Sequence, residues 1–180
     1  ADPALTLGFP AFVTATTGMD ALTHNIEAYL AKGFSPLCDG VALEGIKLIA
    51  QSIERATHQS DIESRSKMMM GSLMGATAFQ KGLGVVHSLA HPLSTLVDMH
   101  HGLANAIMLP YGMEFNIDVS APRMVTIAHA IGLKNPSAEA FIDWIKQLNT
   151  KLNISGRLSA HNVHSSHLEK LSDLAMQDTG

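Results

Sequence analysis

Met68-Met-Met-Gly-Ser-Leu-Met-Gly-Ala-Thr-Ala-Phe79 carries no charge and, wound as a helix, is apolar on nearly every side. A stretch of that kind is expected at the centre of a helical bundle rather than on a surface. Ser60-Asp-Ile-Glu63 just upstream has the pattern of a capping box, and Lys81-Gly82 downstream offers a residue suited to a left-handed helix end. A helix is therefore expected from Asp61 to about Gln80. Gly71, Gly75, Ala76 and Ala78 would let neighbouring helices come close, and the methionines read as flexible core filler rather than ligands.

Working outward, the same pattern repeats. Ser35-Pro36 is a cap followed by proline in the first turn. The helix it opens runs to about Thr57 with Ala42, Ile46, Ile49 and Ile53 as its buried stripe. Thr16 or Thr17 is placed to cap a helix from Gly18 to Leu30, and Ala1 to Phe12, with two prolines and a glycine, reads as an extended lead-in. Beyond the central stretch, Leu103 to Leu109 is an apolar helix that Pro110 is expected to disturb. Ser120 is placed to cap a helix ending near Gly132, Ser137 one from Ala138 to about Leu152, and a last helix runs from about Ser166 to Gln177. No segment alternates like a strand, so the expected fold class is all-α, a helical bundle.

The 180 residues suffice for one domain with a real core, and 46% of them are hydrophobic. A net charge of −4 gives no reason to expect nucleic acid, and no apolar run has the length of a membrane span. Cys38 is the single cysteine, so no intrachain disulfide forms and a cytoplasmic setting is expected. The chain opens without an initiator methionine and is expected to be a piece of a longer protein.

The chemistry concentrates between Gly84 and Gly102, where His87, His91, His100 and His101 fall. His87 and His91 share a helix face, and Pro92 is expected to end or kink the helix at His91. Imidazole is the commonest metal ligand, and a metal site wants an anion as well. Asp20 supplies one, with His24 one turn along the same helix. His161, His164 and His167 look like a second cluster, but their setting is polar and they read as surface residues. Gly82-x-Gly84 is too short for a dinucleotide loop.

Gly18-Met-Asp-Ala-Leu-Thr-His24-Asn-Ile-Glu-Ala-Tyr29, Gly82-Leu-Gly-Val-Val-His87-Ser-Leu-Ala-His91-Pro-Leu and His101-Gly-Leu-Ala-Asn-Ala-Ile-Met-Leu-Pro110 together resemble the iron-containing (group III) alcohol dehydrogenases. The resemblance implies the helical, metal-binding C-terminal domain of the dehydroquinate synthase-like fold, with residues 1–12 as a lead-in from a missing nucleotide-binding domain and 13–180 as the metal domain. It implies Fe(II) or Zn(II) held by Asp20, His24, His87 and His101, His91 as the catalytic histidine, and NAD or NADP contacts at Leu5, Gly8, His91 and His101. The family often has proline where His100 stands, which leaves two adjacent imidazoles in view for the last ligand; Gly102 favours His101. The implied reaction is oxidation of a small alcohol to an aldehyde or ketone with hydride transfer to the nicotinamide. The implied partners are the missing domain and further copies of the chain, and the isolated chain is expected to be inactive. Glycerol dehydrogenase, a dehydroquinate synthase-like zinc enzyme, and a helical module with a structural metal are the competing expectations.

Overall fold

The structure, a computed structural model, describes residues 1–178, so the last two positions of the 13–180 unit lie outside the described residues. Nine α-helices make up the described chain: α1 (Ala11–Leu30), α2 (Pro36–Ala50), α3 (Ile53–His58), α4 (Ile62–Ala78), α5 (Val85–Val97), α6 (His101–Phe115), α7 (Ile117–Ala130), α8 (Ala138–Lys151) and α9 (Leu168–Gln177). No strand occurs among the described residues, in keeping with the expected all-α class.

The central helix is α1, which packs on α2, α3, α4 and α6 and buries Met19, Leu22 and Ile26 completely. It begins at Ala11, well before the Gly18 start that the sequence suggested. Threonines mislead there: Thr16 or Thr17 was expected to cap, but the hydroxyls of both, like those of Thr14 and Thr23, donate to a carbonyl one turn back. The polar atoms are thus satisfied inside the helix, and the remaining β-branched and small surface buries well. The lead-in before it is not extended throughout either; Pro3–Thr6 forms a 3-10 turn capped by Asp2 and packed on α4.

The stretch Met68–Phe79 is helical as expected but is not surrounded. Met68, Gly71, Gly75 and Ala78 are buried, whereas Met70 and Leu73 are about half exposed. The glycine face packs on α1 and α2 around Asn25, whose Nδ2 donates to the carbonyls of Ala21 and Gly71. A Cβ at Gly45 or Gly75 would overlap the Asn25 amide, so those positions hold glycine to let three backbones meet at one buried side chain. Asp61 rather than Ser60 is the cap of α4, accepting from Glu63 N and Ser64 N.

Prolines gave the other corrections. Pro92, Pro110 and Pro122 all lie inside helices, so α5 does not end at His91, α6 runs past Leu109, and Ser120 sits within α7 rather than capping it. Each proline forfeits one intrahelical bond, yet Leu93, Met113 and Met124 around them are buried, and the helices continue past the prolines. Conversely, the single helix expected from Pro36 to Thr57 breaks at Gln51-Ser52 into α2 and α3. The α7 side is tied to α1 and α2 by charge: Asp39 accepts from the almost fully buried Lys81 and from Arg123, whose guanidinium lies 4.1 Å from the Tyr29 ring centroid.

Candidate metal centre

Three helices each bring a pair of polar side chains one turn apart to the same place: Asp20 and His24 from α1, His87 and His91 from α5, His101 and Asn105 from α6. The α5–α6 pair is joined by a short turn. Asp98 there takes the left-handed conformation with φ of 55°, and the Met99 N–H donates to the Leu93 carbonyl at 3.2 Å. α6 then starts hard against α1, where a Cβ on Gly102 would overlap the Thr16 carbonyl.

The ligand atoms of Asp20, His87 and His101 all lie within 4.8 Å of one another. Asp20 Oδ1 is 3.8 Å from His87 Nε2 and 3.5 Å from His101 Nε2. Two donors bound tetrahedrally to one first-row metal stand about 3.4 Å apart, so the residues present fit such an ion with only small adjustments. His24 packs its ring 4.5 Å from that of His87, with Nδ1 3.8 Å from the other oxygen of Asp20, but its ring nitrogens stand outside the three-residue group. Of the two adjacent imidazoles, His101 faces Asp20. His100 instead accepts from Leu103 N at the start of α6, edge-on to Phe12.

His91 lies beside this group without joining it. Its ring stacks on His101 at 5.5 Å, and its Nδ1 is 2.7 Å from Asp178 Oδ2. Leu5 and Gly8 lie in the exposed lead-in before α1, which packs on α4. His164 and His167 form only a local turn contact, with His164 N donating to His167 Nδ1. Among the described residues Asp20, His87 and His101 are the one group of three acidic, histidine or cysteine side chains with ligand atoms so close.

Burial lowers the pKa of His24 and of His101, outweighing the pull of the Asp20 carboxylate in the other direction; the neighbouring imidazoles, His87 among them, lower both further. Both rings therefore favour the neutral form, which is the form that offers a lone pair. His87 is 1% exposed while His101 is 38% and His91 43% exposed, so the group is floored by protein and open on one side.

Three contributors escaped the sequence reading. Asn105 Nδ2 lies 2.6 Å from Asp20 Oδ1 and 3.0 Å from His101 Nε2, with its Oδ1 buried and unmatched. Glu27, nearly fully buried, accepts from Val86 N, His87 N and the His87 ring. Both were within reach of helical spacing, since Asn105 follows His101 by one turn and Glu27 follows Asp20 by two. Asp178 was not, because 87 residues separate it from His91.

Comparison with known proteins bears on this arrangement. The chain is 51% identical over 130 residues to the 4-hydroxybutyrate dehydrogenase of Cupriavidus necator, a match covering 69% of this chain and 34% of that protein. The crystal structure of a 1,3-propanediol oxidoreductase superposes with a TM-score of 0.95 at 36% identity, covering 99% of this chain and 49% of that one. Sulfoacetaldehyde reductase from Bifidobacterium kashiwanohense, solved in complex with NAD+, gives a TM-score of 0.88 at 30% identity over 97% of this chain and 46% of its own. The chain thus spans half or less of the length of these relatives. Residues 14–180 match the model of the Fe-containing alcohol dehydrogenase family, C-terminal part, and the chain belongs to that family.

Proposed function

We propose that Asp20, His24, His87 and His101 hold one divalent metal, Fe(II) or Zn(II), and that this domain supplies the metal half of an NAD(P)-dependent alcohol dehydrogenase. The observation that carries the reading is the approach of Asp20 Oδ1 to two imidazole Nε2 atoms from two other helices, at 3.5 and 3.8 Å. One carboxylate with three imidazoles suits either metal. His24 would complete the set by a change of side-chain rotamer, since Asp20 and His24 already share a helix face. When bound, such a metal supplies Lewis acidity toward an alcohol oxygen, and the nicotinamide accepts the hydride. His91, exposed beside the group and hydrogen-bonded to Asp178, is placed to take a proton from substrate and pass it to solvent. The open side favours a catalytic site over a structural one, which would be closed on all sides.

The nucleotide-binding half is the proposed partner. Phe9, Phe12, Ile62, Met70 and Leu73 are all about half exposed, a concentration of apolar surface near the start of α1 and along α4 that a second domain would cover. Alcohol oxidation by NAD or NADP then requires both halves, in a cytoplasmic protein that self-associates. No helix of the described residues is long and apolar enough to cross a membrane.

The test is metal binding by the 180-residue chain followed by assay of the chain joined to its nucleotide-binding half. One Zn(II) or Fe(II) per chain and alcohol-dependent NAD(P) reduction by the joined protein are expected. Failure of Asp20→Asn or His87→Ala to reduce metal content would overturn the ligand set.

A further inference from the structure

Glu27 serves a helix start and a proposed ligand with one carboxylate. It is 3% exposed, on the central helix, where a carboxylate left without partners would be costly. Its carboxylate reaches across to the N-terminus of α5. Oε1 accepts from Val86 N at 2.7 Å; Oε2 accepts from His87 N at 3.3 Å and stands 2.6 Å from His87 Nδ1. Gly84 leaves the space for this, since a Cβ there would stand 2.8 Å from Glu27 Oε1.

We infer that Glu27 is a positioning residue that fixes the tautomer and ring direction of His87, so that its Nε2 lone pair is presented to the metal. The inference rests on the metal-site reading above. The chemistry follows from donors and acceptors. Both carboxylate oxygens are already taking backbone N–H groups, so the ring nitrogen beside them must be the donor. A neutral imidazole that carries its proton on Nδ1 has its lone pair on Nε2. That atom faces Asp20 Oδ1 and lies 3.4 Å from Asn105 Nδ2. A free imidazole divides itself between two tautomers and many rotations, and a metal must select one of them at a cost. Here the helix-spanning carboxylate selects it before the metal arrives. Such carboxylate–histidine–metal arrangements typically alter metal affinity by about 10–100-fold.

The test uses the 180-residue chain, labelled with 15N-histidine and free of metal, and Zn(II) alone as the probe. Long-range 1H–15N correlations should show His87 as the Nδ1–H tautomer in the unaltered chain. In Glu27→Gln the amide can still accept from Val86 N. Its NH2 group, however, faces the ring and should drive His87 to the Nε2–H form. Zn(II) binding should weaken about 10–100-fold in that variant. A merely structural Glu27 would move neither the tautomer nor the affinity of a folded variant. The wild-type tautomer needs no variant, so the measurement survives if Glu27→Gln does not fold. An Nε2–H His87 in the unaltered chain, or a folded Glu27→Gln with the Nδ1–H tautomer and Zn(II) affinity within twofold of wild type, overturns the inference. If the unaltered chain shows the Nδ1–H tautomer but Asp20→Asn binds Zn(II) as tightly as wild type, the ligand set fails while the role of Glu27 in fixing the ring stands.

Discussion

His100 and His101 are neighbours with the same side chain and opposite duties. His100 closes the first turn of α6 through Leu103 N, whereas His101 turns toward Asp20. His101→Ala should therefore lower metal content sharply. His100→Ala should leave it unchanged and cost about 1 kcal/mol or less, the size of an N-cap contribution. Elemental analysis together with thermal melting of both variants makes the comparison. His91→Ala should keep full metal content while the two-domain protein loses about 10²–10⁴-fold in turnover, the usual contribution of one proton-transfer group. Loss of metal from that variant would make His91 a ligand. At this scale the convergence of Asp20, His87 and His101, with His24 and His91 beside them, was legible because regular spacing and motif order marked these residues. Asp178 was invisible, because nothing local in a sequence announces a contact with His91 across so much chain.

Among the elements, α1 was the hardest to read and does the most positioning. Its threonines carry their own hydrogen bonds and so hide a buried helix behind a polar composition. Pro92 and Pro110 pointed to breaks, and Ser120 to a start, at places where the helices run on. Met68–Phe79 was legible as a helix, but its Met70 and Leu73 are exposed, since periodicity cannot say whether the last side of an apolar helix meets another domain. The contact of α6 with α1 gives a sharp test. Gly102→Ala would press a methyl group into the Thr16 carbonyl, on backbone rather than on a yielding side chain. It should cost about 1–3 kcal/mol, as overpacking does. Because it shifts His101 relative to Asp20, it should weaken Zn(II) binding as well, unlike an alanine at the open Gly40 position. Denaturant melts and metal titration of the two variants check this.

For the molecule as a whole, the charge cluster around Asp39 sets an acid limit. Burial raises the Asp39 pKa, but hydrogen bonds from Arg123 and Lys81 outweigh it and hold the carboxyl below its ordinary value. A depressed folded pKa means that the stabilisation is present above the unfolded value, near about 3.9, and is lost as pH falls through the folded one. Asp39→Asn should therefore destabilise the chain at neutral pH by about 3 kcal/mol, since it leaves the buried Lys81 without its counter-charge. Its melting temperature should begin to converge with that of wild type as pH falls below about 4. Thermal melts from pH 7 to pH 3 read this directly. Metal acts on the same balance at neutral pH: a ligand present at 100 times its dissociation constant adds about 2.7 kcal/mol to the folded state. The 180-residue chain should melt higher with Zn(II) and still reduce no NAD(P). Orientation of the nicotinamide is worth roughly 7–11 kcal/mol of the barrier, and that is proposed to come from the other domain.

The turn of Asp98, Met99 and His100 has a bearing on how this lineage can change. Each residue added to a helix rotates everything after it by about 100°, so one insertion in the turn would carry His101 away from Asp20 and bring another side chain round to replace it. Drift in the identity of these three residues is tolerable wherever a left-handed position and a helix cap survive. Drift in their number is not. Related genes are thus expected to vary in what they write at positions 98–100, and to keep the count of letters between His87 and His101.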